Sequence, residues 1–433
     1  MITRTVVFED AGWIRLLPLV YMRGVFELRC GRSDLLARIG GLNEAAGLSG
    51  NIEISCRPQL ADLIHETTGL PVNMPRSEPV LLLNGRGLWN SLPSAVAETG
   101  PWVGTIGDGD EVACIAADAK LAASLTPETV LDQARLRTLL APLPRRDVSG
   151  NVRLLDWPWN FVHANAAAME SDWDPASAAI HGQVDEGSYL LAAEHVHIGA
   201  GSRVKPCTVI DAESGPVWIG ENVTINPHCY IEGPVVIDSG TILQPGAKIR
   251  VGTTLGPRCK VGGEIEASIV QGFSNKQHDG FLGHSYVGEW VNIAADCINS
   301  DLKNTYGMIR VPINGREVNS GELFVGMVMG DYSKAGINVS FPTGAVVGFS
   351  SSVIRPLSPK FVPSFAWIDG DHVQRFDVVR GLTVARKVMA RRQRAVTPAV
   401  EHAFLQVREW ALALEHEQQI PLETGRHDLD ATA

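Results

Sequence analysis

Aliphatic residues fall at every sixth position through the middle of the chain: Ile219, Ile225, Ile231, Ile237, Leu243, Ile249, Leu255 and Val261. A period of six fits neither a helix nor simple strand alternation. It marks a β-solenoid, in which each hexad supplies a short strand and a turn and three hexads close one triangular coil. The aliphatic residue points inward, onto its counterparts in the neighbouring coils. Burying each such side chain contributes roughly 1.5–3 kcal/mol before ordering costs, and successive coils sit at strand spacing, about 4.8 Å. Gly220, Asn226, Pro227, Gly246, Gly252 and Gly256 fall at the corners, where turn residues are needed. The pattern starts earlier, at Ile198, Val204 and Ile210, then shifts by three residues around Ser214-Gly215-Pro216, which predicts a bulge or small loop. After residue 263 the register loosens. Leu282, Ile293, Val325, Ile337, Val347 and Val353 are expected to point inward in later coils, with the longest insertion at 299–322. The solenoid is expected over 186–365.

The flanks follow other periods. Over 1–150, "TRTVVF" and "VLLLNG" read as strands, whereas "RSDLLARIGGL", "PQLADLIHET" and "PETVLDQARLRTLLAPL" read as helices. Pro127 suits a first helical turn. This is the alternation of an α/β domain. Residues 151–185 form a connector, with a helix in "LLDWPWNFVHANAAAMESDW". A helical tail is expected over 366–433, with two helices in 371–416 and Thr397-Pro398 as N-cap and first-turn pair of the second. The first carries Arg386, Lys387, Arg391, Arg392 and Arg394. Two readings stand for that run: a solvated face, or a surface that docks on acidic groups of the same oligomer. Residues 422–433 are expected to fray.

Charge and composition narrow the partners. A formal net charge of −11 over 433 residues argues against nucleic acid as a bulk electrostatic partner. A local basic cluster still suits a small anion. No run of 18 apolar residues predicts a membrane span, and the acidic residues of "MITRTVVFEDAGW" do not suit a signal peptide. Seven scattered cysteines without a CxxC pair read as reduced thiols, so the cytoplasm is the expected compartment.

The chemistry concentrates in "SNKQHDGFLGHSYVG", residues 274–288. A neutral imidazole near pH 7 suits the role of a general base. His278 is the candidate base, with Glu266 or Asp279 available to orient its ring; the bland reading is a turn histidine bonded to backbone. His284 reads as an exposed corner residue.

The hexapeptide repeat resembles the left-handed β-helix acyltransferases. The stretch "SNKQHDGFLGHSYVGEWVNIAADCINSDLKN" is similar to the acetyltransferase half of the bifunctional N-acetylglucosamine-1-phosphate uridyltransferase/glucosamine-1-phosphate acetyltransferase family, and to sugar nucleotidyltransferases that share its architecture. That family places a histidine before an aromatic-Leu-Gly and an asparagine about fourteen residues on, here His278, Phe281-Leu282-Gly283 and Asn292. The resemblance implies a homotrimer with active sites between subunits, acetyl-CoA or another acyl-CoA as donor, and an amino-sugar phosphate or nucleotide sugar as ligand. It casts His278 and Asn292 as catalytic, and Arg250, Lys276, Asn275, Phe281, Asp301 and Lys303 as substrate contacts. For Asn292 an asparagine ladder is the competing reading. For the cations it is solvation. Phe281 replaces the family's tyrosine, and Ala294-Ala295-Asp296-Cys297 replaces a small-residue turn where the pantetheine arm lies.

The N-terminal part resembles sugar nucleotidyltransferases. "RLLPLVYMRGVFEL" matches their Arg-Leu-x-Pro-Leu segment at Arg15, Pro18 and Arg23, and "VLLLNGR" their magnesium-holding strand at Asn84-Gly85. Arg86 stands where the metal-binding aspartate belongs, and a cation there repels Mg²⁺. Mg²⁺ is implied only if this domain turns over. Three functions stay open: acyl transfer at the solenoid, nucleotidyl transfer to a sugar 1-phosphate at Arg15, Arg23, Asn84 and Gly85, and non-catalytic binding of a sugar nucleotide by a trimer.

Overall fold

In the computed structural model, residues 2, 4–48, 52–93, 100–107 and 109–415 are described. The expected fraying of 422–433 lies outside them. The N-terminal domain is built on a six-stranded sheet in the order Ile52–Ser55, Thr5–Phe8, Val80–Asn84, Val112–Ala117, Trp102–Thr105, Arg145–Asp147. The first three strands run parallel, and Val112–Ala117 is antiparallel to both of its neighbours. Both strands read from the sequence are present and fully buried, because helices cover each side of the sheet. Helices α1 (Leu35–Ala45), α2 (Ala61–Thr68), α3 (Ala119–Ser124), α4 (Pro127–Leu131) and α5 (Gln133–Leu140) follow in order. One helix was expected where α4 and α5 lie. Asp132 breaks it: its backbone turns extended, and its carboxylate accepts from the amides of Ala134 and Arg135 to start a new helix.

Helix α6 (Pro158–Ser171) leads into a parallel β-helix whose coil strands run from Ala179 to Asp369. The first face stacks ten strands, from Ala179–Ile180 to Phe361–Val362. The second stacks the segments from Gln183–Val184 to Ala366–Asp369, and the third those from Tyr189–Leu191 to Phe281–Gly283. The hexad residues 198, 204, 210, 219, 225, 231, 237, 243, 249, 255 and 261 all point inward and are buried. The turn at Ser214-Gly215-Pro216 joins the third face to the first, as the shift predicts. Ile337 departs from the expectation. It is 65% exposed, and Ala335 and Val339 take the inward positions on either side of it. The 299–322 insertion carries a hairpin, Arg310–Ile313 with Arg316–Asn319.

The tail begins with a hairpin strand, His372–Arg375 on Ala366–Asp369, where helix was expected. Helices α7 (Val378–Ala390) and α8 (Pro398–Leu414) follow, and Thr397 Oγ1 caps α8 by accepting from Val400 N at 3.2 Å. Phe404 of α8 packs on Tyr332, Phe349 and Phe365 at the corner between the first and second faces. The N-terminal domain and α6 cover the first face: Phe161 meets Tyr286 edge-on, and Asn165 bridges Gly31 to Gly252 and Thr254. At the corner between the second and third faces, His278 and Asp279 are exposed. No helix among the described residues is long and apolar enough to cross a membrane, and all seven cysteines are free.

Candidate active site

The corner between the second and third faces carries the turn Gln277-His278-Asp279-Gly280. Gly280 has φ +123, and a Cβ there would lie 2.1 Å from the Cys297 carbonyl of the next coil, so the close stacking requires glycine. Lys276 builds the turn from inside. It sits in register with inward-pointing Val261, is 4% exposed, and its Nζ donates to the carbonyls of His278 (2.9 Å) and Asp279 (3.2 Å). Two of its three N–H donors are therefore held by the backbone of its own turn, inside the coil. Burial lowers its pKa, with smaller opposing effects from Cys297, Asp279 and Asp296. In the alkaline range below the ordinary lysine pKa, the unfolded chain thus binds more protons at this site than the folded one. Stability should rise with pH there, relative to Lys276→Met, in chemical denaturation at a series of pH values. Equal slopes would show a solvated amine.

The His278 ring is exposed and makes no hydrogen bond with the described residues; neither Glu266 nor Asp279 orients it. Above it in the stack lies the Ala294-Ala295 turn, with Asp296 at φ 57 and its amide on the Asp279 carbonyl at 3.0 Å. Next along the corner come Ile337 and, 40% exposed, Ile354. Asn292 is exposed on the second face and forms a ladder with Asn275: Nδ2 of Asn275 lies 3.4 Å from Oδ1 of Asn292, and Asn275 Oδ1 accepts from Arg392 at 2.6 Å.

The third face holds other partners. Arg250 binds Glu232 and lies 3.7 Å from Glu264, so its charge is already met, and it does not join Lys276, which is inside the second face. Phe281 and Asp301 come together around Gly283, where a Cβ would touch both. Asp301 Oδ2 in turn holds Nδ1 of His284 at 2.9 Å. His284 is not an exposed corner residue: its side chain is 20% exposed and stacks on Phe324 at 4.9 Å between ring centres. Lys303 Nζ donates to the Met308 carbonyl. The His284–Asp301 pair escaped sequence reading, although a signal existed. One coil takes 17–18 residues here, so side chains 17 or 18 apart stack, as Asn275–Asn292, Arg250–Glu232 and His284–Asp301 do.

The N-terminal domain gathers a second polar centre. Arg86 is 1% exposed and binds both carboxylate oxygens of Asp10 (2.9 and 2.7 Å) and one of Asp156. Arg15 bridges Glu111 (2.7 Å) and Asp156 (2.9 Å), and Asn84 donates to Asp10 at 2.9 Å. Beside them opens a cleft of about 250 Å³ lined by Arg15, Glu111 and Arg137. Gly85 lies against Phe26. Arg23 is elsewhere: it is buried against the solenoid, on Asp331 (2.9 Å) and Glu289 (3.2 Å). Asp10, Glu111 and Asp156 do not fit a divalent ion, because the Arg86 guanidinium already occupies the space their carboxylates share.

Residues 5–178 match the sugar nucleotidyl transferase family, and residues 216–251 match the bacterial transferase hexapeptide repeats. The chain joins a nucleotidyltransferase-like domain to a hexapeptide-repeat β-solenoid. Over 197 residues it is 29% identical to the bifunctional protein GlmU of Acidithiobacillus ferrooxidans, covering 43% of this chain and 39% of that one. Over 232 residues it is 31% identical to the bifunctional sugar-1-phosphate nucleotidylyltransferase/acetyltransferase of Sulfurisphaera tokodaii, covering 44% and 57%. Over 153 residues it is 37% identical to the GlmU of Methanococcus aeolicus, covering 31% and 36%. Each match spans less than two thirds of the relative's length.

Proposed function

We propose that the solenoid transfers an acyl group from a coenzyme A thioester to the nitrogen of an amino sugar, with His278 as general base. The observation that carries this is the His278 imidazole itself. It is exposed, has no hydrogen-bond partner among the described residues, and sits at the corner between the second and third faces. The amine nitrogen attacks the thioester carbon and the C–N bond forms. His278 takes the amine proton, the C–S bond breaks, and the proton passes to the departing thiolate. Asn292, exposed on the second face, offers an amide to the acceptor. Arg250, the cation expected to meet an acceptor phosphate, is paired with Glu232 and Glu264, so the nitrogen and not the phosphate is the feature this reading rests on.

The same corner supports assembly into a trimer. Ile337 and Ile354 form an exposed apolar ridge along it, and Ile298 and Leu357 add 46% and 59% exposed side chains beyond it. A second copy seated there would enclose His278 and exclude water. Sedimentation should give three chains for the native protein, and Ile337→Glu should shift it toward one; an unchanged mass would remove the seam. The activity is tested by following free thiol from acetyl-CoA with glucosamine 1-phosphate or glucosamine, in the native protein and in His278→Ala.

For the N-terminal domain, Arg86 standing among the carboxylates of Asp10 and Asp156 argues against metal-dependent turnover.

A further inference from the structure

The basic run at the end of α7 has a destination in the structure. Arg391 and Arg392 close a cleft of about 250 Å³ against the second face of the solenoid, opposite Lys260 and Lys334, with Asn275 and Asn292 on its floor. No carboxylate lines this cleft. Among the described residues none of the four cations has an ion-pair partner: Arg392 donates to the Asn275 amide oxygen at 2.6 Å and Lys334 to the Tyr332 carbonyl at 2.9 Å. Arg258 adds a further positive charge near Arg392. In a chain of net charge −11, gathering cations with no counter-charge is unfavourable unless something anionic answers them. The helix C-terminus accounts for basic residues on α7. It does not account for Lys260 and Lys334, which face them from two separate coils. Burial pushes the Lys334 amine down to about 8, as it must where a charge is desolvated without an opposite one beside it.

We propose that this cleft binds a diphosphate group of the kind carried by a nucleoside diphosphate. Guanidinium and ammonium donors together suit phosphoryl oxygens, and the Asn275 amide adds a neutral donor beside Arg392. The volume is below that of a site for a drug-sized ligand and suits the diphosphate itself. Phe273 and Trp290, stacked at 4.5 Å, line one edge, where an attached base would lie. Because Arg391 and Arg392 belong to the tail while Lys260 and Lys334 belong to the coils, the ligand would also clamp α7 onto the solenoid. This inference stands independently of acyl transfer at His278.

The test is calorimetric titration of the full chain with inorganic pyrophosphate, UDP and uridine at low and moderate salt, on the native protein and on a Lys260→Gln/Arg391→Gln double variant. Both substitutions are on the surface, and a thermal melt verifies the fold. Pyrophosphate and UDP should bind the native protein, weaken with salt, and bind the double variant at least about tenfold less tightly; uridine should not bind. Hydrogen exchange should slow in α7 when pyrophosphate is added. Equal affinity for native and variant protein, uridine binding as tightly as UDP, no binding of pyrophosphate or UDP, or unchanged exchange in α7 would each overturn the proposal.

Discussion

Arg86→Met should lose about 3–5 kcal/mol of folding stability at neutral pH, the range for removing one partner of a buried charge pair. The side chain is 1% exposed and holds Asp10 through two hydrogen bonds and Asp156 through a third. Burial by itself would raise the Asp10 pKa. The charge and hydrogen bonds of Arg86, with help from Asn84 and the Gly12 amide, override it and hold the carboxyl below its ordinary value. Methionine keeps most of the volume and removes the cation, so Asp10 is left buried with its charge unanswered. Its pKa in the folded variant then rises above the unfolded value, and the folded variant takes up a proton as pH falls. The deficit against the native protein should therefore be largest near pH 7 and shrink toward pH 4. Urea denaturation at a series of pH values reads this directly. A loss under about 1 kcal/mol would mean that water, not Arg86, neutralises the cluster.

His278→Ala should lower acyl transfer by about 10²–10⁴-fold, the usual contribution of a positioned general base, and should leave the melting temperature unchanged. The two readouts separate because the ring is exposed and makes no hydrogen bond with the described residues. Its turn is held by Lys276 through backbone carbonyls that alanine retains. The informative control is His284→Gln. His284 is the imidazole that does have an orienting carboxylate, Asp301 at 2.9 Å. If turnover survives in His278→Ala and vanishes in His284→Gln, the base lies at the other end of strand Phe281–Gly283 and the acceptor must approach the third face there. If thiol release is absent from the native protein with every acceptor, acyl transfer itself is removed.

Much of this molecule is legible as a one-dimensional pattern, and the reason is geometric. In a β-helix each residue stacks on the one a coil away, so inward positions recur at a fixed interval and the requirement for Ile, Val or Leu recurs with them. The run Ile219 to Val261 is that requirement written out, and all eight are buried. Legibility fails where the interval is broken. Ile337 looks like an inward residue by type but falls in a turn, and Val339 is the buried one. Asp132 splits a helix that the apolar spacing alone would carry through.

The site was less legible. The motif singles out His278, Phe281 and Asn292, but it says nothing of what each side chain touches. Lys276 reads as a substrate cation and is a structural amine, because the second-face register turns it inward at a place where its stem can pack as Val261 does. Arg250 reads as a phosphate contact and is held by Glu232, eighteen residues earlier and one coil below. Arg23 reads as part of a nucleotide loop and is buried on Asp331, 308 residues away.

By itself, the sequence determined the coil architecture, the α/β character of the first domain, the two tail helices and the single histidine motif, since these rest on local spacing and turn chemistry. Only the tertiary structure decided which charges are spent on one another and which remain open. Arg86 is matched by Asp10 and Asp156, while Lys260, Lys334, Arg391 and Arg392 meet across a cleft with no carboxylate. The physical reason is that electrostatic pairing depends on distance through space, and in this chain the partners are brought together by coil stacking and by the docking of distant segments, neither of which a residue's neighbours in sequence report.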